Sequence, residues 1–431
     1  MDTSSGAFLT DSLNFTPKAQ AVKSKSFRQN YNPTNGATFS GGSHMYFDIG
    51  VNRPNQYIDP HQSLLCFQVV NNDASAVLTV DGSIFSVINR MTTYVGGSIV
   101  DDINNYNALA ATCLDLQMLG CIGTTSGSVH LGTSPATTLN VDKTGLVIPA
   151  SGVKDFAMPL ALNAIIGSGN KQYLPIDDIK TLRLDLTLES VNAAFVSANA
   201  GNASNWTIQN PTLYIQYVEI DAEMGSMIKG ANSDGLKLSV SSWKGQPYIQ
   251  NTGRSGDSMI IPAQYASLNT ILTIWRDPAQ QSVANAYWVS HRVNPFYSAT
   301  GVSSSVQFKI GSMVAPQTPI TSVSEMWNLT QAAFHQQGSI TEGSRCNYNN
   351  WNTATYSNVA TTMGTFALGL NLTTFQNKSS KSTSGINTFG INVNQVNNYP
   401  APQTIGHQED SYWNFDSILY IKDGTAQLIT N

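Results

Sequence analysis

Hydrophobic side chains alternate with polar ones in short stretches from about residue 39 to the end of the chain. The clearest stretch is Leu182–Leu188, in which four leucines fall on one side of an extended strand and polar residues on the other. Clusters of Gly, Pro, Asn and Ser interrupt the alternation, as is typical of short antiparallel strands joined by turns. The pattern predicts an all-β protein, built as a sandwich or a barrel.

Two segments have helical spacing instead. The first, Ile103–Leu119, follows Asp102, which we expect to be its N-cap. The second, Val323–Gln337, follows Ser322, which forms a predicted capping box with Glu325. We expect each helix to be a connection that packs against its own sheet.

The two halves of the chain repeat the same features in the same order, which indicates an internal duplication. A Gly-Ser tetrad precedes each helix, an alternating leucine strand follows it, and each half closes on Leu-Tyr-Ile. The pairs are Gly97-Ser98-Ile99-Val100 with Gly311-Ser312-Met313-Val314, Leu182–Leu188 with Phe366–Leu372, and Leu213-Tyr214-Ile215 with Leu419-Tyr420-Ile421. This order predicts two domains of one fold, 39–229 and 236–431, joined by a turn-rich linker at 230–235.

Residues 1–38 lack this periodicity, and we expect them to form an N-terminal arm. The arm carries a net positive charge, whereas the remainder of the chain is acidic. Its basic residues are Lys18, Lys23, Lys25 and Arg28. They are candidates for contact with a partner, although an ordinary solvated terminus can have the same composition.

Charged residues are scarce throughout the chain. They make up 11% of the 431 residues, against about 25% in an ordinary soluble domain. Charge keeps free monomers apart, so this composition favours a protein whose surface is covered by neighbours in an assembly. Secreted and phage-borne β-proteins can also have uncharged polar surfaces. The net charge of −5 gives no general attraction to nucleic acid.

Catalytic, metal-binding and targeting motifs were not found in the sequence. The six histidines form no His-Glu-x-x-His pair, the four cysteines form no Cys-x-x-Cys pair, and no Gly-x-Ser-x-Gly motif or P-loop occurs. We therefore predict no enzymatic activity, cofactor, metal or small-molecule substrate, although two distant acids across a sandwich cleft would leave a glycosidase open. No secretory leader or membrane-spanning run is recognised, so we expect synthesis inside a host cell without secretion. Trp351, in an Asn-rich stretch, is predicted to be an exposed contact residue.

Several short motifs, in order along nearly the whole chain, resemble those of one protein family. They are Asn55-Gln56-Tyr57-Ile58-Asp59-Pro60 with Ser63-Leu64-Leu65-Cys66-Phe67, Tyr94-Val95-Gly96-Gly97 through Tyr106-Asn107, Tyr173-Leu174-Pro175, and Asn210-Pro211-Thr212-Leu213. The chain thereby resembles the double jelly-roll major capsid proteins of tailless icosahedral viruses. Adenovirus hexon and the capsid proteins of membrane-containing phages, virophages and polinton-like viruses belong to that lineage.

The resemblance implies two tandem eight-stranded antiparallel jelly-roll sandwiches, each with a short helix in a connection. It also implies a homotrimer whose six jelly rolls give a pseudo-hexagonal capsomer of the virion, with neighbouring capsomers and minor capsid proteins as partners. The arm would lie under the shell, where Lys18, Lys23, Lys25 and Arg28 could contact genome, internal membrane or neighbouring capsomers. The alternatives are a trimeric receptor-binding or carbohydrate-binding viral spike and a secreted β-sandwich hydrolase.

Overall fold

The structure of the chain is a computed structural model. It describes residues 23–117, 144–167, 169–170, 172–198, 205–283, 285–298, 303–334, 348–352, 364–373 and 385–430. Within these residues antiparallel strands dominate, and short helices lie in the connections between them. The all-β prediction is confirmed.

The first half of the chain supplies strands β1 to β13 and helices α1 and α2. The strands are β1 (Ser24–Tyr31), β2 (Thr38–Ser40), β3 (His44–Ile49), β4 (Gln56–Asn71), β5 (Leu78–Asp81), β6 (Ile88–Val95), β7 (Ser98–Ile103), β8 (Thr144–Ile148), β9 (Val153–Pro159), β10 (Leu174–Pro175), β11 (Leu182–Leu188), β12 (Phe195–Ser197) and β13 (Trp206–Ile220). The helices are α1 (Tyr106–Gln117) and α2 (Ala222–Ala231).

The second half supplies strands β14 to β22 and helices α3 and α4. The strands are β14 (Leu236–Gln250), β15 (Gly256–Ile261), β16 (Leu268–Arg276), β17 (Ser305–Ile310), β18 (Met313–Ile320), β19 (Leu368–Asn371), β20 (Val393–Asn398), β21 (His407–Lys422) and β22 (Thr425–Ile429). The helices are α3 (Val323–Ala333) and α4 (Tyr348–Trp351), and short 3-10 turns lie at Ile84–Val87 and Pro278–Ser282.

Each half is a complete jelly roll. In the first half the two main sheets contain the strand orders β1-β13-β4-β10 and β3-β11-β6-β7, and in the second β14-β21-β16-β19 and β15-β20-β17-β18. The extra strands β2, β9 and β22 pair at the sides of these sheets, and β5, β8 and β12 form a small third sheet in the first half. If the eight strands of the two main orders in each half are numbered along the chain, both halves have the orders 1-8-3-6 and 2-7-4-5, the arrangement of a double-sheet jelly roll. In each half a helix, α1 or α3, follows the fifth of these strands. The predicted fold class is confirmed.

Alternation fixes the face that each strand buries, as β11 illustrates. Its four leucines are all at most 2% exposed, whereas Arg183, between two of them, points outward and bonds to Asp48 on β3. A slip of one residue would turn the leucines to solvent, so the register is strongly specified.

The repeated Gly-Ser tetrads mark equivalent hairpins that precede α1 and α3. A two-residue turn joins β6 to β7 at Gly96-Gly97, and another joins β17 to β18 at Gly311-Ser312. Gly96, and not Gly97, therefore corresponds to Gly311. The tetrads identified the right turns but were aligned one residue out of register.

The predicted pairing of Leu182–Leu188 with Phe366–Leu372 is wrong. The counterpart of β11 is β20, since each is the seventh strand of its jelly roll. The second leucine segment contains β19, which pairs with β16 in the other sheet and corresponds to β10. Alternation reports one buried face but does not reveal which sheet a strand joins.

Both predicted helices exist, but Asp102 is not the N-cap of the first, and the side-chain bond of the capping box predicted for the second is not formed. Asp102 lies inside β7, where its carboxylate accepts a hydrogen bond of 2.7 Å from Arg90 on β6. The helix after it begins only at Tyr106. Helix α3 begins at the predicted residue, yet the Ser322 side chain makes no capping hydrogen bond.

The predicted arm is shorter than 38 residues. Strand β1 pairs with β13 along its whole length, from Ser24 opposite Ile220 to Tyr31 opposite Leu213, so residues 24–31 belong to the first jelly roll. The prediction failed here because the polar side chains of this edge strand give little alternation. Helix α2 lies across the predicted boundary at residue 230, and the division into domains stays a prediction.

Candidate functional site: the internal interface

The two jelly rolls of one chain contact each other through a surface that we call the internal interface. On the first jelly roll it consists of the end of β5, the β7–α1 region and the segment before β11. On the second it consists of residues 288–292, β14, β21 and the β21–β22 turn. The buried apolar side chains of both jelly rolls form one continuous cluster. The following contacts hold the two halves together.

Asp81, the last residue of β5, binds a backbone segment of the second jelly roll. Its carboxylate, 1% exposed, accepts hydrogen bonds from the N–H groups of Trp288 (2.8 Å), Val289 (2.6 Å) and Ser290 (3.2 Å), and from the Ser290 hydroxyl. Burial raises the pKa of Asp81, whereas these hydrogen bonds oppose the rise. One carboxylate of the first jelly roll thus accepts hydrogen bonds from three consecutive buried N–H groups of the second.

The next residue, Gly82, brings the two backbones close together. A Cβ atom at this position would lie 2.7 Å from Cβ of Ser290, and φ of Gly82 is +73°. Contact and conformation both require glycine here. The Asp81-Gly82 pair therefore sets how closely the two jelly rolls approach.

A fully buried ion pair crosses the interface beside these residues. The guanidinium of Arg292 donates to the hydroxyl of Thr112 (2.8 Å) and to the carboxylate of Asp115, both on α1. Arg292 is 0% exposed and Asp115 is 3% exposed. Removing one member of a buried ion pair is strongly destabilising, so this contact helps to hold the two jelly rolls together.

The third polar contact centres on Asp101 of β7. Its buried carboxylate accepts hydrogen bonds from the hydroxyl of Ser242 on β14 (2.7 Å) and from the N–H of Ala164 (2.8 Å). Burial raises the pKa of Asp101 to about 6, and the charge of Asp102 adds to the rise. The sequence suggested helix capping for the neighbouring Asp102 and gave no sign of this contact.

Asn105 extends the polar contacts to β21. Its side-chain amide donates to Asp410 (3.0 Å), and its carbonyl accepts from the hydroxyl of Tyr412 (3.1 Å). Asp410 also accepts from Arg276 (2.7 Å), whose guanidinium lies 4.1 Å from the ring centroid of Trp288. These buried groups link the interface to the core of the second jelly roll.

At one end of the interface, the β21–β22 turn sits on the first jelly roll. The carbonyl of Gly424 accepts a hydrogen bond of 3.2 Å from the N–H of Lys180, and Gly424 forms a parallel bridge with Ile179. A Cβ atom at Gly96 would lie 2.8 Å from the Gly424 oxygen, and one at Gly424 would lie 2.4 Å from Cγ of Lys180. The turn thus fills a notch between the β6–β7 turn and the segment before β11.

Two acidic side chains, the buried Glu409 and the partly buried Asp257, lie close together in the second jelly roll, away from these contacts. The hydroxyl of Tyr399 lies 2.8 Å from Oε1 of Glu409 and also contacts Asp257. A hydroxyl has one proton to donate, so one of the two carboxyl groups has to be protonated to bond to it. Burial raises the pKa of Glu409, and the neighbouring Asp257 raises it further.

Solved structures of viral capsid proteins share this architecture. The PBCV-1 virus capsid matches with a TM-score of 0.61 and 10% identity, over 96% of this chain and 98% of that chain. The Faustovirus major capsid protein matches at 0.57 and 10%, over 97% and 93%. The mavirus major capsid protein matches at 0.52 and 10%, over 100% and 95%. The chain shares the fold of viral major capsid proteins.

No protein-family model matches the sequence, and no curated protein matches it either. The predicted resemblance to double jelly-roll capsid proteins is confirmed at the level of fold. Among the described residues, no helix is long and apolar enough to span a bilayer.

Two of the predicted arm contacts lie on β1 in the capsid-protein fold. Lys25 forms an ion pair of 3.0 Å with Glu219 on β13, and the guanidinium carbon of Arg28 lies 3.9 Å from the ring centroid of Tyr214. Lys23 is exposed just before β1, and Lys18 lies outside the described residues. The structure brings Lys25 and Arg28 onto one edge strand, and the partner of the basic residues stays a prediction.

The prediction that Trp351 is exposed is wrong. Its side chain is 0% exposed, and its indole N–H donates to the carbonyl of Ala367 (2.9 Å). The ring packs against Trp327 on α3 and Phe366, with centroids 5.1 and 4.7 Å away. The Asn-rich sequence suggested a loop, but α4 turns the indole into an aromatic cluster.

Proposed function

We propose that this chain is a major capsid protein, a structural and non-enzymatic component of the virion. Its function would be to form pseudo-hexagonal homotrimeric capsomers that tile an icosahedral shell. The observation that carries the proposal is the presence of two complete jelly rolls in one chain, held together by buried polar contacts. The likeness in fold to the capsid proteins of PBCV-1, Faustovirus and mavirus supports it.

The geometry of a shell explains why two similar domains would be fixed in one chain. Three chains related by a three-fold axis contribute six jelly rolls, and six similar units approximate a hexagon. A hexagonal outline tiles a curved surface only when every unit holds its position, and the internal interface supplies that rigidity. The low charge of the chain fits a surface covered by neighbouring capsomers and minor capsid proteins.

Native mass spectrometry and negative-stain electron microscopy of the purified chain test this function. We expect a complex of three times 46.4 kDa, seen as hexagonal particles. A chain that remains a monomer at micromolar concentration would overturn the proposal.

We also propose that the arm contacts neighbouring capsomers, genome or internal membrane from the inner side of the shell. Lys18 and Lys23 support this role, because both precede the first strand of the jelly roll. Deletion of residues 1–22 would leave β1 in place, so the capsomer should form while shell assembly fails. Normal shells from the deleted chain would show that the arm has no such role.

A further inference from the structure

The second jelly roll exposes an apolar surface that we call the apolar corner, formed by Met313, Phe389 and Ile391. Their exposed fractions are 45%, 57% and 37%. Met313 begins β18 directly after the β17–β18 turn, and a Cβ atom at Gly311 in that turn would lie 3.0 Å from Ile391. The three residues therefore lie around one turn at one end of the sheet.

The equivalent place on the first jelly roll is the notch filled by the β21–β22 turn. Gly96 corresponds to Gly311, because each is the first residue of its hairpin turn. Lys180 corresponds to Ile391, because each lies two residues before the seventh strand of its jelly roll. The chain thus covers this place on the first jelly roll, whereas on the second it leaves apolar side chains exposed.

We propose that the apolar corner receives the first jelly roll of a second copy of this chain. The contact between chains would then repeat the internal interface, with first and second jelly rolls alternating around a ring that closes after three copies. This inference rests on the proposed homotrimer and names the surface that forms it.

The segment of the second copy that enters the corner follows from the same equivalence. The β21–β22 turn comes directly after β21, the last strand of the second jelly roll. Helix α2 comes directly after β13, the last strand of the first jelly roll. Met227 on α2 is 63% exposed. A methionine beside Phe389 makes a favourable sulfur–aromatic contact, so both exposed apolar groups would be buried together.

Disulfide trapping tests which surfaces meet. In the full chain carrying Met227→Cys and Phe389→Cys, oxidation should link each copy to both neighbours and give dimer and trimer bands on a non-reducing gel. The matched control pairs Met227→Cys with Val153→Cys, since Val153 is 50% exposed at the far end of the first jelly roll. Each single cysteine variant measures linkage to the native cysteines. Bands from the Phe389 pair alone support the inference, and equal bands from both pairs overturn it.

Charge substitution gives an independent measurement. Phe389→Asp should raise the dissociation constant of the trimer roughly tenfold or more, since burial of a phenylalanine is worth at least that factor. Val153→Asp should leave it unchanged, and circular dichroism of both variants checks that they fold. If the unmodified chain is a trimer and Phe389→Asp leaves it intact, the corner is not the interface although the capsomer stands. If the unmodified chain is a monomer, the proposed function fails as well.

Discussion

Replacing Asp81 with alanine would remove the acceptor for three buried N–H groups and one hydroxyl of the second jelly roll. Each buried donor left without a partner costs about 1–3 kcal/mol. The Ser290 hydroxyl can rotate, whereas the three N–H groups are fixed by the backbone. Water entering the space of the lost carboxylate would satisfy some of them, so we expect a loss near the low end, about 3 kcal/mol in total.

Urea denaturation and thermal unfolding measure this loss in Asp81→Ala. A change of this size would lower the melting temperature by roughly 10 °C in a chain with domains of about 200 residues. Asp81→Asn keeps one acceptor oxygen and should lose less. We also expect faster proteolysis near residues 230–235, because the two jelly rolls would no longer be held together at this point.

Asp73→Ala is the matched control. Asp73 also accepts backbone hydrogen bonds, from Ser75 and Ala76, but its carboxylate is open to solvent. Water can replace the Asp73 carboxylate as the acceptor, so we expect no measurable loss in the free energy of unfolding. The internal interface does not depend on these hydrogen bonds if the free energy of unfolding of Asp81→Ala lies within about 1 kcal/mol of that of the unmodified chain. The same conclusion follows if Asp81→Ala loses no more stability than Asp73→Ala.

Three further substitutions test the other buried groups, each by urea denaturation. Trp351→Ala should cost about 3–5 kcal/mol because it empties a packed site, and a change under about 0.5 kcal/mol would be typical of an exposed residue. Arg292→Met should cost about 3–5 kcal/mol by removing the guanidinium from the buried carboxylate of Asp115; adding Asp115→Leu should recover much of this, and no recovery would contradict the ion-pair explanation. Burial beside Asp257 raises the pKa of Glu409, so the Glu409 carboxyl group binds its proton more tightly in the folded state than in the unfolded state. The stability that this protonation contributes is present at acid pH and is lost as pH rises through the folded pKa. Glu409→Gln, neutral at every pH, should flatten that loss between pH 5 and pH 8; an unchanged slope would refute the assignment.

Local pattern was enough to predict the class of fold and its duplication. The leucines of β11 alternate with polar residues because one face of the strand is buried, and this periodicity can be read from seven residues. Turns and helices also depend mainly on neighbouring residues. The hairpin turns at Gly96 and Gly311, and the helices after them, could therefore be recognised in both halves. These features predicted two β domains, and the family resemblance supplied the jelly-roll arrangement.

The sequence could not reveal which distant segments meet. Asp81 and Ser290 are 209 positions apart, and nothing near either residue indicates the other. Trp351 was expected at the surface from its polar neighbours, yet it is buried against Trp327 of α3 and Phe366. The leucines of β19 matched those of β11, although the two strands join different sheets.

The sequence by itself determined that the chain forms two similar all-β domains with little surface charge. Only the tertiary structure decided how these domains are joined and which surface stays open. Strand periodicity is a property of adjacent residues, whereas the notch at Gly96, the buried Arg292–Asp115 pair and the exposed Phe389 arise from the packing of one jelly roll on the other. That packing depends on the shapes of whole sheets, and no short stretch of sequence encodes it.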